Sequence, residues 1–361
     1  MILTLYIGKE VYKSTTIVLL FLIGLFIFFS FVEDINDLND ELTLIKIINI
    51  NLLKIPNYLY EILPIALLIG GTISIAKLSR NNEIVILKTS GISNLKLLKI
   101  LWAITVPIIL ISIVLSEYII PIAEIKNKEL KLYIRTTNKD SLLSDYWFKE
   151  TIDENKSRII NIKNIKNNTC ICNIYIYEFS KDLDLLNLII AEKGRFINNY
   201  LALDKVTIIK KTSDNNHKKY FSKDFLDCLK ITTSLNYKTI TYSTLNPDNM
   251  SMEMLMNYMN TTKNTQIDTR KQKAAFYRRV SSPITLFIMI SIAIHLVIVQ
   301  SRENKLNNKI FISITLGTIF FLINQLLLNV SLKNIPIYIW VTIPNIFCLT
   351  VLTTVLILNK K

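Results

Sequence analysis

Few residues in this chain have the types and the spacing that catalysis or metal binding requires. The two histidines, His217 and His295, lie in no ligand-spaced cluster, so a zinc site is not expected. Gly8-Lys9-Glu10 lacks the upstream glycine and the Ser or Thr of a phosphate-binding P-loop. No Gly-x-Ser-x-Gly or His-Glu-x-x-His motif is present. We therefore predict that the protein is not an enzyme and binds no metal or cofactor of its own.

The cysteines give no metal-like or disulfide-like pattern. Cys170 and Cys172 are two residues apart in an alternating stretch, so both side chains lie on one strand face. Such neighbours do not readily bridge to each other. Free thiols are therefore the default expectation, and the sequence leaves open whether Cys170, Cys172 or Cys228 forms a disulfide.

The charged residues that could bind a partner are mainly basic. The chain has 42 Lys and Arg against 28 Asp and Glu, a formal net charge of +14. This excess is typical of proteins that bind nucleic acid, lipid headgroups or a phosphorylated glycolipid. Heavy use of Ile, Asn and Lys also indicates an AT-rich genome that uses lysine as a surface filler. We give weight to a basic residue only where its position supports it.

Long apolar blocks at both ends of the chain must position these residues. The first block, Thr15 to Val32, is uncharged and long enough to cross a bilayer core of about 30 Å. Its length and its acidic downstream flank argue against a cleaved signal peptide. Five similar blocks follow, so the sequence predicts six transmembrane spans. These five blocks lie at about 55–76, 97–122, 281–300, 310–329 and 336–358.

The short loops between the blocks predict the orientation. Lys and Arg concentrate before the first span, between spans two and three, between spans four and five, and at the C-terminus. The opposite short loops are acidic or nearly uncharged. Because basic short loops stay in the cytoplasm, both termini are predicted to be cytoplasmic and the long middle segment to lie outside.

The polar middle of the chain, 123–280, has the pattern of an inserted β domain. Runs beginning at Ser157, Cys170 and Asp204 alternate and are rich in β-branched and aromatic residues. They predict a sandwich, barrel or jellyroll, and an amphipathic helix is expected near Ser251. The predicted fold class is an α-helical membrane protein with six transmembrane helices plus an inserted all-β, jellyroll-like domain. Residues 1–122 and 281–361 hold the spans.

The loop between spans two and three is the most informative short segment. Asn81 is a good N-cap, Glu83 favours the positive first turn of a helix, and Gly91 suits a left-handed stop. A helix of about two turns is predicted at about 81–91. It could be an ordinary interfacial connector or a coupling helix that docks on a separate ATPase.

Three segments, in order, resemble the LptF/LptG family of lipopolysaccharide export permeases. They are Leu63-Pro-Ile-Ala-Leu-Leu-Ile-Gly-Gly, Asn82-Glu-Ile-Val-Ile-Leu-Lys-Thr-Ser-Gly-Ile and Ser116-Glu-Tyr-Ile-Ile-Pro. Four shorter segments are more similar to the LptG branch than to LptF: Tyr6-Ile-Gly-Lys, Phe31-Val-Glu-Asp, Asn324-Gln-Leu and Ile335-Pro. The resemblance covers most of the chain and is faint in residues 140–250.

The resemblance implies a multi-protein complex in a bacterial inner membrane. An LptF paralogue would form a heterodimer with this chain, an LptB ATPase dimer would use the ATP, and LptC would assist. Lipopolysaccharide would leave the outer leaflet and pass to a periplasmic LptA bridge. Membrane lipid is thus a partner and nucleic acid is not. The middle domain would be a periplasmic jellyroll.

The resemblance also carries residue roles. Glu83 stands at the family's coupling-helix glutamate, with Arg80 and Lys88 beside it, and would face the ATPase. Lys128 and Lys131 follow the Ser116 motif where relatives have basic residues, and their spacing places them on one helix face. Lipid A phosphates would pass this pair.

Arg278 and Arg279 lie just before span four. They could bind lipid phosphate or simply anchor the helix at the interface.

Ser30 departs from the family pattern, since LptG relatives often have a basic residue there, and part of a phosphate-binding ring is therefore in doubt. Asn324 replaces a common Asp, and the usual Gly-Pro near the end of span four is absent. The role of His295 stays open.

Other classes of protein remain as alternatives. The LptF paralogue would have the same activity and partners. A membrane-anchored structural protein with a working β domain needs only one or two spans. A lipid-modifying membrane enzyme should show polar residues that converge at one interface, and this chain offers only scattered ones.

Overall fold

The protein is described here by a computed structural model, which separates two compact units. The described residues are 2–35, 43–137, 146–153, 156–166, 170–181, 184–197, 200–213, 219–233, 242, 245–262, 269–299, 306–329 and 337–358. A helical unit comprises residues 1–134 and 273–361, and a β unit comprises residues 135–272.

Long apolar helices make up the helical unit. Five of the helices are long and apolar enough to cross a membrane, counting described residues only. A further helix of 22 residues coincides with the last predicted span. The helices are α1 (Ile2–Ile35), α2 (Leu44–Arg80), α3 (Glu83–Thr89), α4 (Asn94–Val114), α5 (Ile120–Thr137), α7 (Arg270–Val299), α8 (Leu306–Asn329) and α9 (Ile337–Leu358).

The helix α1 shows why these segments are suited to lipid rather than water. Phe21, Phe28 and Phe29 are each more than 60% exposed, although they are among the most apolar residues of the chain. Exposing such a helix to water is unfavourable, because apolar side chains cover most of its circumference. A bilayer surrounds these side chains with lipid and stabilises the helix.

Small residues allow the helices of this unit to approach closely. Gly70 of α2 lies against the backbone of Thr15 in α1, and Gly71 lies against Ile290 in α7. Thr72 and Ser313 place their hydroxyl oxygens 3.3 Å apart between α2 and α8. Because lipid supplies no hydrophobic force between helices, such close contacts and buried hydrogen bonds hold a membrane bundle together.

The β unit contains one antiparallel sheet of six strands. Each described strand pairs with its neighbours in sequence, in the order β1-β2-β3-β4-β5-β6. Between two and five residues separate successive strands, and connections this short favour hairpins. The strands are β1 (Tyr146–Asp153), β2 (Lys156–Lys166), β3 (Cys170–Ser180), β4 (Leu185–Ile197), β5 (Tyr200–Ser213) and β6 (Lys219–Thr232). A short helix, α6 (Met252–Thr261), follows with Ser251 as its N-cap.

One face of the sheet is apolar and buried. Alternate residues of the strands point to this face, and the alternation shifts by one residue at Asn173 and at Lys205, which have positive φ. The buried core consists of Phe148, Ile160, Ile162, Ile171, Ile174, Ile176, Ile189, Ala191, Leu201, Leu203, Val206, Ile208 and Ile231.

A buried polar network curls the sheet, so that its first strands reach the end of its last strand. Arg158 of β2 donates to both Glu178 of β3 and the carbonyl oxygen of Thr232 in β6, each at 3.0 Å. Thr233 donates to Glu150 of β1 at 2.7 Å. The side chains of Arg158 and Glu150 are only 9% and 6% exposed. The contacts of Arg158 with Thr232 and of Glu150 with Thr233 join the first two strands to the end of β6, although these strands are not neighbours in the sheet.

The structure adds detail to two of the sequence predictions. The predicted β-domain limits, 123 and 280, lie inside α5 and α7, because both helices continue with polar residues that a search for apolar blocks does not count. The described part of the β domain is one antiparallel sheet with its strands in sequential order, and its jellyroll-like character stays a prediction. Hairpin-length links between the strands explain this order.

Candidate functional site

The helix of about two turns predicted between spans two and three is present as α3, which has seven residues. The N-cap is Asn82, which has a left-handed backbone with φ 61° and no capping hydrogen bond from its side chain. Asn81, the predicted cap, instead donates from Nδ2 to Oε1 of Glu83 at 3.1 Å. Gly91 ends the segment with φ 85°, as predicted. The Ile92 N–H donates to the Leu87 carbonyl, which completes a glycine-based C-cap.

Glu83 lies beside the first turns of α1 as well as being bonded to its own loop. Its carboxylate is close to the hydroxyl of Tyr6. One turn further along α1, Glu10 forms an ion pair of 2.8 Å with Lys77 of α2. No pattern in the sequence indicates that Tyr6, Glu10 and Lys77 lie near Glu83, because side chains from three separate segments meet only in the folded protein.

One side of α3 is anchored and the other is exposed. Ile84 is buried in the helical core at 3% exposure, whereas Val85 and Ile86 are 47% and 60% exposed. Burial lowers the pKa of Lys88, which lies next to them. Arg80 lies at the exposed end of α2. An exposed apolar pair thus lies beside Lys88 and Glu83 on this side of α3.

The two lysines predicted to meet lipid phosphate both lie in α5. The helix is continuous to Thr137, so residues 128 and 131 are one turn apart. Lys128 is half-buried, and the side chain of Lys131 lies outside the described residues. The backbone agrees with the predicted shared face, and the role of the pair stays a prediction.

A π-helical segment, Leu115–Ile119, joins α4 to α5. At its end the Ile120 N–H donates to the Leu115 carbonyl, five residues back. Such segments are rare and often mark functional positions. The sequence contains a signal for it in Pro121, whose ring would clash with the carbonyl of Glu117 in a regular α-helix.

Arg279 lies inside the helical unit, bonded to this π-helical segment. Its guanidinium donates to the carbonyl oxygen of Ser116 and pairs with Glu117 at 3.2 Å. The Arg279 side chain is only 4% exposed. The Nη1 donor of Arg279 is thus bonded to acceptors within the protein, and a contact of this residue with lipid phosphate stays a prediction. Arg278 is half-buried, and a phosphate contact there stays a prediction.

Ser30, which stands where relatives often have a basic residue, is contacted by the basic residue Lys54 of α2. Lys54 donates from Nζ to Ser30 Oγ at 2.9 Å and pairs with Asp34 at 2.7 Å. Asn51 joins the cluster by donating to Asp34 at 2.9 Å and accepting from Ser30 at 2.7 Å. The ammonium group of Lys54, on the neighbouring helix, thus lies next to Ser30, where relatives often have a basic residue. The sequence could not reveal this, since the two residues are in different helices.

Other singled-out residues occupy structural positions. Asn324 is buried in α8 at 5% exposure. The side chain of His295 lies outside the described residues. Cys172 and Cys228 are free thiols, in line with the default expectation. Within the described residues, no three His, Cys, Asp or Glu side chains lie together as a metal site would require.

The fold and these sites together define a class: a polytopic membrane protein with an inserted β unit and an exposed loop helix between two long apolar helices. Residues 5–358 match the family model described as lipopolysaccharide export system permease LptF/LptG. The chain therefore belongs to the LptF/LptG family, and the resemblance predicted from the sequence is confirmed.

Two relatives show which branch of the family the chain is similar to. The lipopolysaccharide export system permease protein LptG of Haemophilus influenzae is 22% identical over 350 residues, covering 94% of each chain. The protein of the same name from Escherichia coli K12 is 20% identical over 329 residues, covering 90% of this chain and 89% of the relative. The predicted similarity to LptG over LptF agrees with both names.

Proposed function

We propose that this chain is the LptG-type permease subunit of a lipopolysaccharide exporter, which moves the lipid out of the inner membrane and breaks no bond itself. The observation that carries the proposal is the family match over residues 5–358, on a chain with several membrane-length helices and an inserted β unit. The LptF paralogue remains the alternative, and the LptG names of the relatives favour the first reading.

The proposed arrangement has six spans, with α9 as the sixth. Both termini and α3 face the cytoplasm, and the β unit lies in the periplasm. An LptB ATPase dimer docks on the exposed side of α3, and an LptF paralogue completes a lateral cavity for the acyl chains, chiefly through spans one and five. LptC and an LptA bridge receive the lipid. The charge of the short loops and the apolar surface of α1 support this arrangement.

ATP hydrolysis by the partner supplies the work in this proposal. Closure of the ATPase dimer displaces α3, and the contact of Glu83 with Tyr6 transmits the displacement to α1. Closing the lateral cavity then expels the acyl chains toward the periplasm. The chain's own contribution is mechanical coupling at one end and electrostatic guidance of phosphate at the other.

Export is the decisive test of the proposal. The double variant Lys128→Glu/Lys131→Glu should reduce lipopolysaccharide capture at least about tenfold, because two charge-assisted contacts of about 1.5–3 kcal/mol are lost. Capture is measured with a photo-crosslinker at position 125, one turn before Lys128 in the same helix, and export by appearance of the lipid on the periplasmic bridge. Lys126→Glu, a charge reversal at an exposed position of the same helix, is the control. Normal growth and normal crosslinking of the double variant would refute the role.

The topology has its own test in cysteine labelling of intact cells. Single cysteines at positions 90 and 215 are introduced after the native cysteines are replaced. An impermeant maleimide added from outside should label position 215 and leave position 90 unlabelled until the membrane is opened. The reverse pattern would contradict the orientation predicted from the short loops.

Glu83→Lys should uncouple the permease from its ATPase. Reversing a charge at a docking surface can cost several kcal/mol of association, so recovery of co-purified ATPase should fall at least about tenfold. Asn81→Ala is the matched control, because it removes one internal hydrogen bond of Glu83 and keeps the carboxylate. Equal recovery of the ATPase with Glu83→Lys and with the unaltered chain would remove Glu83 from the docking role.

A further inference from the structure

The π-helical segment and Arg279 depend on each other through one carbonyl group. In a regular α-helix, the Ile120 N–H would donate to the Ser116 carbonyl. In this protein it donates to Leu115 instead. The next candidate donor for Ser116 in the π-helical register is residue 121, which is a proline and has no N–H. Arg279 supplies the missing donor from α7.

Proline makes both registers of this segment incomplete. In the α-helical register, Pro121 leaves the Glu117 carbonyl without its helical donor and presses its ring against that carbonyl. In the π-helical register, the Ser116 carbonyl is the group that the helix itself cannot satisfy. A buried carbonyl without a donor is costly in either register, so the missing hydrogen bond does not by itself favour one of them. A contact from outside the helix can therefore decide between them.

We propose that Arg279 is a positioning residue that holds this segment in the π-helical register and so sets the rotation of α5. Its guanidinium bonds the Ser116 carbonyl and the Glu117 carboxylate at once, and both acceptors belong to the π-helical segment. Returning to the α-helical register removes one extra residue from the turn. That change rotates everything after it by about 100°, the angle between successive residues of an α-helix.

The rotation would change which side of α5 faces solvent. In the present register, Ile120, Ala123 and Asn127 form a buried stripe at 2%, 8% and 6% exposure, and Lys126 is exposed. After a one-residue shift, residue 126 takes the place of residue 127 in this stripe. Lys128 turns with it. The consequence for lipid guidance rests on the proposed function, whereas the register itself does not.

Cysteine reactivity along α5 tests the register directly. In full-length protein with all four native cysteines replaced by serine, single cysteines are placed at 126 and 127, and maleimide labelling is timed in detergent. With Arg279 present, position 126 should react quickly and position 127 slowly. In Arg279→Met, the rate at 127 should rise and the rate at 126 fall, each by about tenfold or more, as expected for buried against exposed thiols.

Two further variants keep the test decisive. Arg278→Met removes the neighbouring positive charge and should leave both rates unchanged. Arg279→Lys keeps the charge but cannot bond the carbonyl and the carboxylate at once. Its labelling rates at positions 126 and 127 should lie between those of the Arg279 protein and those of Arg279→Met. If Arg279→Met does not accumulate, Arg279→Lys takes its place in the test. Unchanged rates in a folded Arg279 variant, or the same change in Arg278→Met, would overturn the proposal. Neither result bears on export, which the Lys128 and Lys131 variants test separately.

Discussion

Arg158→Met is expected to unfold the β unit at temperatures at which the unaltered protein remains folded. Arg158 is the one positive charge that the described contacts place between Glu150 and Glu178. Removing one partner of a buried ion network typically costs about 3–5 kcal/mol, because the remaining charge is buried without compensation. Most domains are stable by only about 5–15 kcal/mol, so the loss is a large fraction of the whole.

The measurement is limited proteolysis of the full-length protein in detergent, with cleavage sites mapped within residues 146–232. Lys210→Met is the matched control, because Lys210 also forms a cross-strand ion pair, with Asp224, but both side chains are about half exposed. Exposed pairs contribute about 0–1 kcal/mol, so this control should behave like the unaltered chain. Arg158→Met/Glu178→Met should recover part of the resistance, since it removes the opposite charge too. Equal protease resistance of Arg158→Met and Lys210→Met would contradict the importance of the network.

Gly70→Val should have the largest effect in the helical unit. A β-carbon at residue 70 would lie 2.5 Å from the Cα and 2.6 Å from the backbone nitrogen of Thr15. A backbone cannot move aside as a flexible side chain can, so α1 and α2 must separate. The expected cost is about 3 kcal/mol or more, at the upper end for overpacking. The yield of monodisperse protein in detergent and its thermal midpoint report this loss.

Gly24→Val is the control for the same substitution in α1. A β-carbon there would meet nothing within 4 Å, so the added side chain should face lipid at little cost. If both valine variants have the same thermal midpoint, the close contact between Gly70 and Thr15 does not hold the two helices together.

The sequence predicted the features that depend on local composition. Apolar blocks located the long helices, because a membrane span is recognisable from length and lack of charge alone. The left-handed stop at Gly91 followed from one residue type. The amphipathic spacing and Ser251 predicted α6. The β unit was predicted from alternation, although alternation cannot state how strands are ordered.

The features that sequence reasoning missed come from pairs of residues far apart in the chain. Arg158 and Thr232 are 74 residues apart and meet only because four successive strand connections, from β2 to β6, bring them together. Lys54 reaches Ser30 because α1 and α2 pack as neighbours. Arg279 is the clearest case. Its position before an apolar block indicates an arginine at the membrane interface. In the structure it is buried against the carbonyl of Ser116, to which Pro121 cannot donate because it has no backbone N–H. A pattern within one segment contains no information about such partners.

The sequential order of the strands has a consequence for how the β unit is made. Folding is faster when contacts join residues that are near in sequence, because less chain entropy is lost in closing each loop. Each strand of the meander can pair with its predecessor as soon as it is synthesised, before the helices α7 to α9 exist. The contacts of Arg158 with Thr232 form last, since β6 must be complete. Assembly of the sheet is therefore gradual, and its final closure is the step that waits for the whole domain.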